Sequence, residues 1–439
     1  MNPGLVVKLR PTGPWRIGPD SGARSRVELL YHSDSLYGAI AWGMARLGWL
    51  EEWLDDTARA EHPAVCCSSC FPFSEDIGFV VPPRTIWPPT SPALLSARVR
   101  WKSARFVPLG IVEALLSGQT LDENHWIVDG PSECLMPAGR HGPFRTVARW
   151  SAAVDRLSGA SERHSTTCLE FRPGAGLWTI VSFADDGAQS RWGDRVKTVF
   201  RLLADSGFGG ERSRGWGRAE SPEFIEGSLP DMILGASAGS VGHVPAAVEP
   251  EPPATVEPEP SPEPQAEAAP ELKAAPEPET SPEPQAASEL EAAFEPEPAP
   301  QEAAPASEAA PEPQPEPQAE AEPQPPPPDD DDIVALSDNA IDVEPAEPAG
   351  ARAHWLLSLF TPGPADAVEW SRGNYTILDR GGRVDGSGEL KKQLPMVSEG
   401  SVIYATELRG SAPDVAPDGH PHPVFRAGFA LAIPLPEAS

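Results

Sequence analysis

One loop of the sequence combines residue types that bind nucleic acid. Residues 207–218 hold five glycines, three arginines and Trp216. Glycine permits positive φ and brings backbone N–H groups close to a phosphate, while arginine supplies charge and planar donors and an indole offers a face for a base. The loop therefore predicts RNA binding. Its candidate contacts are Gly207, Gly209, Gly210, Arg212, Ser213, Arg214, Gly215, Gly217 and Arg218.

Glycine-rich loops also bind dinucleotides and nucleoside triphosphates, but the context of this loop fits neither. Such loops follow a strand and begin a helix, whereas four apolar residues recur at helical spacing just before Gly207. They are Val196, Val199, Phe200 and Leu203. No Gly-Lys-Ser/Thr is present in the sequence. A helix C-cap followed by a turn is the structural alternative for the same glycines.

A second polar group stands at the start of a predicted helix, whose apolar stripe is Leu36, Ile40, Met44 and Leu47. Ser33 or Asp34 can cap this helix by accepting from its free N–H groups, and those N–H groups can alternatively bind a phosphate. The loop before it is basic and contains Arg16. We expect RNA contacts in this region from Arg24, Arg26, His32 and Ser33.

Prolines and alternating cations between residues 82 and 108 predict a protruding hairpin or loop. In a strand, Arg100 and Lys102 would share one face, with Trp101 on the other. A solvated edge strand that charge protects from aggregation is the alternative. The further candidate RNA contacts are Arg100, Lys102, Arg105 and, in a later basic element, Arg156.

His62, Cys66, Cys67 and Cys70 have a spacing that can bind zinc, but no second cysteine pair follows closely. Ordinary buried thiols are the preferred interpretation, and we expect neither metal nor cofactor. Five cysteines, an odd number, suit a reducing compartment. No apolar run is long enough for a membrane helix, and the N-terminus does not resemble a signal peptide. The sequence therefore predicts a cytoplasmic protein without a membrane partner.

Composition divides the chain into three segments. Residues 243–350 contain 28 of the 55 prolines and 28 acidic residues against one cation, Lys273. Such a segment cannot bury a core, so we expect a disordered acidic Pro/Glu/Ala linker. It holds most of the net charge of −31, which leaves the rest of the chain nearly neutral. The predicted domains are residues 1–242 and residues 351–439.

Strand and helix patterns place the loops. The first predicted strand has a period of two, in which Leu5, Val7 and Leu9 alternate with Val6, Lys8 and Arg10. A second strand is predicted by the same period in Leu177, Thr179, Val181 and Phe183. With the two helices, the order is strand, helix, irregular middle, strand, helix and glycine loop. This order predicts an α+β fold compatible with a ferredoxin-like (RRM-like) βαββαβ domain carrying a long insertion.

The chain resembles the RAMP superfamily, and within it subunit four of the type III-A CRISPR (Csm) effector complexes. The resemblance covers both predicted domains in the same order. It rests on residues 7–10, 32–36, 155–156 and 207–218 in the first domain, and on residues 355–362, 380–383, 396–401 and 422–428 in the second. The acidic linker and Cys70 depart from the family pattern.

The resemblance implies two ferredoxin-like domains that hold the repeat-derived 5′ tag of crRNA. The expected partners are crRNA, the large polymerase-like subunit and a RAMP backbone subunit, in antiviral defence. Members of the family bind RNA without nuclease activity. By the same resemblance, Arg212, Ser213, Arg214 and Arg218 would line the tag, and the segment from Arg98 to Arg105 would form a basic protrusion.

The alternative is a RAMP endoribonuclease that processes precursor crRNA or cuts target RNA. Such chemistry requires a general base and a general acid, and His32 is the best candidate for the base. Asp20 or Asp34 could support target cleavage. A general interaction scaffold that uses the acidic linker is a third possibility, but it does not account for the arginine-glycine loop.

Overall fold

The computed structural model describes residues 2–19, 22–90, 94–119, 121–154, 156, 160–234, 350–384 and 387–436. The predicted linker lies outside these ranges except for Gly350, and so does Asp20. The helices are α1 (Ser33–Arg46), α2 (Leu50–Asp56), α3 (Leu95–Trp101), α4 (Leu109–Leu116), α5 (Asp186–Ser206) and α6 (Asp231–Leu234), with short 3₁₀ turns at Glu123–His125 and Arg212–Arg214.

The strands of the N-terminal part are β1 (Asn2–Leu9), β2 (Val65–Cys67), β3 (Phe71–Ser74), β4 (Ile77–Val80), β5 (Val107–Pro108), β6 (Trp126–Asp129), β7 (Cys134–Pro137), β8 (Phe144–Val154), β9 (Ser161–Phe171), β10 (Ala175–Phe183) and β11 (Glu223–Leu229). Those of the C-terminal part are β12 (Arg352–Leu356), β13 (Val368–Asn374), β14 (Ile377–Arg380), β15 (Leu394–Val397), β16 (Val402–Ala405), β17 (Gly410–Ser411), β18 (Gly428–Phe429) and β19 (Ala432–Pro434).

The main sheet is antiparallel and runs in the order β11-β1-β10-β3-β4-β5. Strand β2 also pairs with β10, end to end with β3: Cys67 lies opposite Val181, and Phe71 lies opposite Trp178. If β2 and β3 are taken together as one interrupted strand, the four principal strands stand across the sheet in the order fourth, first, third, second. Helices α1 and α5 provide the connections after the first and third of these strands.

Helices α1 and α5 pack closely because a glycine stands at their contact. A Cβ atom on Gly43 of α1 would lie 2.6 Å from Cγ1 of Val199 on α5. The helical stripe of α5 expected from the sequence is buried, including Val196, Phe200 and Leu203. This packing fixes the end of α5, and with it the point where the glycine loop begins.

The segment from Arg98 to Arg105 differs from its prediction. Its first residues form helix α3 rather than a strand. Leu94 and Trp101 are seven residues apart, so in a helix they share one face, and both are buried. The Trp101 ring stacks on Trp87 with centroids 5.8 Å apart and planes 5° apart. Burial of this face outweighed the alternating cation pattern on which the strand prediction depended.

The long protruding hairpin lies elsewhere, in β8 and β9. Its eleven-residue strands pair along their whole length, from Phe144 opposite Phe171 to Val154 opposite Ser161. Its far end is solvent-exposed, with Trp150 73% and Val154 62% accessible. Arg156 is exposed in the turn between the two strands.

The C-terminal part is built on an antiparallel sheet in the order β13-β16-β12-β19. When these four strands are numbered by their order in the chain and read from the β19 edge, the sheet again has the order fourth, first, third, second. Residues 350–384 and 387–436 contain no helix. The mixed helix-and-sheet class is therefore confirmed. The ferredoxin-like description of each part remains a prediction.

The two parts share one hydrophobic core. Trp355, Leu357 and Val402 belong to the same buried cluster as the β1 and α1 residues. The Trp355 indole N–H donates to the Val81 carbonyl (3.1 Å), and the Ser69 N–H donates to the Leu357 carbonyl (3.0 Å). In these ranges, no helix combines the length and apolarity needed to cross a membrane.

Candidate nucleic-acid interface

The glycine loop is fastened to the segment that follows β1. The Gly210 N–H donates to the Arg16 carbonyl (2.8 Å), and the Gly217 N–H donates to the Pro14 carbonyl (3.0 Å). Within the loop, the Phe208 N–H donates to the Gly217 carbonyl (3.2 Å). The Phe208 ring is buried edge-on against Trp15, with centroids 4.6 Å apart. The loop is therefore preformed by the protein's own contacts.

Most of the loop glycines are required by the fold. A Cβ atom on Gly207 would lie 2.5 Å from the Trp216 carbonyl oxygen, and one on Gly209 would lie 2.6 Å from that of Arg16. On Gly217 it would overlap the Phe208 carbonyl. Gly215 also has a positive φ, +78°, but a Cβ atom there would face open space. The alternative reading of these residues as a helix C-cap followed by a turn therefore accounts for most of the glycines without RNA.

The arginines stand on the 3₁₀ turn and just beyond it. Arg214 pairs with Glu211 (Nε to Oε2, 3.2 Å) and approaches His164 of β9 (3.3 Å). The Arg212 guanidinium lies over the Trp42 ring, 5.2 Å from its centroid. Ser213 and Arg218 are exposed. The turn therefore presents cations toward two neighbours, α1 and β9.

Arg16 organises the basic loop at residues 22–28. Its buried guanidinium donates to the backbone carbonyls of Thr167 (2.7 Å), Arg24 (3.2 Å) and Arg26 (3.2 Å). Burial lowers the pKa of Arg16, although neighbouring Glu211 opposes the shift. Because the loop backbone wraps around this group, the Arg24 and Arg26 side chains remain exposed. The sequence marked Arg16 only as one cation of a basic loop, since its carbonyl partners are not visible in sequence.

Strand β9 brings these pieces together. The Thr167 N–H donates to the Arg24 carbonyl (2.9 Å), and His164 lies beside Arg214. Three segments distant in sequence thereby form one surface. Its exposed cations are Arg24, Arg26, Arg214 and Arg218.

The other candidate cations lie on other elements. Arg100 on α3 pairs with Glu123 (2.9 Å), and Lys102 is exposed just after that helix. Arg105 is half-buried, with its guanidinium 5.6 Å from the Phe106 ring centroid. Arg156 marks the hairpin turn.

His32 and Ser33 are in the interior. His32 Nδ1 lies 2.8 Å from Glu399 Oε1, which also accepts from the Ser69 hydroxyl. The Ser33 hydroxyl accepts from the Leu359 N–H (2.9 Å). Both side chains therefore join the N-terminal part to the C-terminal part and offer no exposed surface to RNA. His32, the residue before α1, makes no capping bond through its side chain, but the Ser35 N–H of the first turn donates to the Asp34 carboxylate (2.7 Å), as the capping expectation allowed.

Asp34 forms a buried ion cluster next to this contact. Its carboxylate accepts from Arg380 at 3.1 Å through both Nε and Nη2, and from Arg426. Burial alone would raise the pKa of Asp34, but the two guanidinium groups outweigh it and hold the pKa at about 2. In Glu399, burial opposes the effect of His32 and Ser69, and the net pKa is also lowered.

This cluster predicts a loss of stability in acid. A carboxyl group whose pKa is lower in the folded state stabilises the fold above its unfolded pKa, and that contribution disappears as pH falls through the folded value. For Asp34 the window runs from about pH 4 to about pH 2, with a loss of about 2 kcal/mol. Urea unfolding measured from pH 5 to pH 2 should show it. An Asp34→Asn protein with the same pH dependence as the wild type would contradict the assignment.

The cysteines with zinc-like spacing are free thiols, of which Cys67 and Cys70 are buried and Cys66 is half-buried. Burial raises the pKa of Cys66 to about 12 and also raises those of Cys67 and Cys70. His62 Nε2 instead contacts Arg409 at 2.9 Å. Across the described residues, no group of three or more His, Cys, Asp or Glu side chains is arranged to hold a metal ion.

Comparison with known proteins assigns the C-terminal part to a class of CRISPR proteins. Residues 350–435 match the family described as the CRISPR Csm4 C-terminal domain. This match covers the C-terminal part of the chain and agrees with the family resemblance predicted from the sequence. No curated protein sequence matches the chain.

Several solved structures are similar to the chain at low identity. A chain of the Csm3–Csm4 subcomplex of the type III-A CRISPR-Cas interference complex is 12% identical with a TM-score of 0.49, covering 98% of this chain and 99% of that one. A chain of the Csm1–Csm4 cassette in complex with cA4 is 14% identical with a TM-score of 0.46, covering 100% and 99%. Another, from the cassette with pppApA, is 14% identical with a TM-score of 0.44, covering 99% and 100%.

Proposed function

We propose that this protein is the non-catalytic RNA-binding subunit of a type III-A CRISPR interference complex. In this role it holds the repeat-derived 5′ tag of crRNA and bridges the large polymerase-like subunit to the RAMP backbone subunits. The match of residues 350–435 to the Csm4 C-terminal domain carries the proposal. We further propose that both parts are ferredoxin-like, which their common strand order supports.

The proposed partners follow from the same family. The similar solved structures are complexes of Csm4 with Csm1 or with Csm3. By analogy, we assign this chain a Csm1-type large subunit and a Csm3-type backbone subunit as neighbours. The long β8–β9 hairpin and the exposed edge of the C-terminal sheet, strand β13, are two surfaces available for such contacts.

The RNA surface that we propose is centred on the glycine loop and β9. A single-stranded tag is held by phosphate contacts, and its unpaired base edges remain available for reading. Arg24, Arg26, Arg214 and Arg218 supply exposed charge on this surface. Arg100, Lys102, Arg105 and Arg156 stay proposed contacts on separate elements. His32 and Ser33 are left out because both are buried at the contact between the two parts.

Burial of His32 also weakens the ribonuclease alternative. A general base must come within hydrogen-bond distance of the hydroxyl that it deprotonates, directly or through one water. His32 is 4% exposed and already pairs with Glu399. Asp34 is likewise paired with Arg380 and Arg426. Neither residue is accessible to a scissile phosphate in this fold.

The proposal is tested by purifying the tagged protein from its native host and sequencing the RNA that accompanies it. We expect short RNAs that share one 5′ repeat-derived sequence, together with a large polymerase-like protein and several RAMP proteins. Recovery of a lone protein that cleaves repeat RNA would overturn the assignment. Recovery of the protein complex without RNA would retain the partners and reject the tag-binding role.

Arg214→Ala should weaken RNA binding about tenfold, because a charge-assisted contact to phosphate contributes about 1.5 kcal/mol or more. The slope of log affinity against log salt should also become shallower by about 0.7. Fluorescence anisotropy with labelled single-stranded RNA measures both quantities. Arg59→Ala is the control, since Arg59 pairs with Glu51 and Asp55 on α2, away from the loop. An equal loss in both variants would argue against a specific site.

A further inference from the structure

A half-buried tryptophan on α1 connects the glycine loop to a cation that the sequence did not single out. Arg46 follows Trp42 by four residues on the same helix, and its guanidinium carbon lies 5.2 Å from the Trp42 ring centroid. Arg212 reaches the same ring from the glycine loop, also at 5.2 Å. The two guanidinium groups are therefore no farther apart than twice this distance. We name Trp42, Arg46 and Arg212 the α1 cluster.

The geometry of the loop explains why Arg212 takes this direction. Backbone hydrogen bonds to Pro14 and Arg16 fix the loop, and the 3₁₀ turn then directs its two arginines to different neighbours. Arg214 goes to β9 and pairs with Glu211, which offsets part of its charge. Arg212 goes to α1, where the aromatic face of Trp42 attracts its guanidinium group.

The α1 cluster has the properties of an anion-binding surface. Arg46 is exposed at the end of α1, and it has no ion pair with any carboxylate in the described chain. A guanidinium held over an aromatic ring keeps N–H donors directed away from it and loses less side-chain freedom when it binds a phosphate. Two such groups on one ring form a pre-organised pair.

We propose that Arg46 and Arg212, positioned by Trp42, bind phosphate groups of the RNA strand next to the glycine loop. This inference rests on the proposed function and extends its RNA surface from β9 across the loop onto α1. Trp42 acts as a positioning residue. Its ring is engaged by two guanidinium groups, which favours phosphate contact by the cations over base stacking on the indole. Recognition at the α1 cluster is therefore independent of base sequence.

The experiment compares variants of the full-length chain for binding to fluorescein-labelled oligouridylate over a range of salt concentrations. Arg46→Ala should weaken binding about fivefold to tenfold and make the salt slope shallower by about 0.7. Trp42→Leu should weaken binding through loss of the ring, while Trp42→Phe retains an aromatic face and should recover most of the affinity. Thermal unfolding of each variant verifies that the fold is retained.

Arg201→Ala is the matched control, because Arg201 is an exposed cation 5.1 Å from the centroid of another ring, Phe224, on α5 and β11. We expect no change from it. If Arg46→Ala binds like the wild type while Arg214→Ala is weakened, the α1 cluster is rejected and the proposed function stands. Weakening by Trp42→Leu alone would show that the indole contacts RNA itself and would overturn the phosphate assignment. Failure of the wild-type chain to bind RNA would remove both proposals.

Discussion

Replacement of Asp34 by asparagine should lower the free energy of unfolding by about 3–5 kcal/mol. The carboxylate lies between Arg380 and Arg426, and all three side chains are buried. Asparagine has nearly the same shape but no charge, so the two buried guanidinium groups would lose the carboxylate that they share. The penalty comes mainly from the loss of that buried negative charge rather than from the lost hydrogen bonds.

Urea unfolding at neutral pH measures this effect. Glu51→Gln is the control, since Glu51 pairs with Arg59 at the surface and its side chain is 75% exposed. Exposed pairs contribute little, so we expect a change of less than about 1 kcal/mol there. A further variant that replaces Asp34 together with both arginines by apolar residues should recover much of the lost stability. If Asp34→Asn and Glu51→Gln were equally stable, the cluster would have no role in holding the two parts together.

Gly217→Ala should cost about 2–4 kcal/mol and also impair RNA binding. Gly217 has φ +77°, where an L side chain is strained, and the added Cβ would overlap the Phe208 carbonyl. That carbonyl belongs to a buried residue whose ring packs on Trp15 and Tyr31, so it has little room to move. Relief of the overlap therefore requires the whole loop to shift.

Gly215→Ala separates the two causes of this effect. Gly215 has the same sign of φ, +78°, but its added Cβ meets no neighbour within 4 Å. It should therefore show only the backbone strain, about 1–2 kcal/mol. Unfolding free energies and RNA affinities of the two variants, measured side by side, give the comparison. Similar losses in both would mean that steric overlap with Phe208 is unimportant.

The sequence predicted elements whose signal is local and periodic. The buried stripe of α5 and the strands β1 and β10 are found where expected, because a long repeat of apolar residues leaves few alternatives, although both faces of the two strands are buried rather than alternate ones. The strand prediction for the α3 segment was wrong. The segment is short, and burial of Leu94 and Trp101, seven residues apart, outweighed the pattern of the cations between them.

The contacts made by the candidate site residues could not be predicted from the sequence, because their partners lie far away in the chain. The sequence singled out the glycine loop as an RNA site, which stays a prediction, and its glycines serve contacts with Pro14 and Arg16, about two hundred residues earlier in the chain. The roles of His32 and Asp34 depend on Glu399, Arg380 and Arg426, which are farther still. A capping pattern at a helix start looks the same in sequence whether its polar groups face solvent, a ligand or a buried arginine.

The shared core makes the C-terminal part comparable to a bound subunit that happens to be tethered. Residues 350–436 complete a cluster begun by residues 2–234, and the interval between them acts by raising the effective concentration of one for the other. A single cut within this interval would therefore leave two polypeptides that remain associated through the shared core.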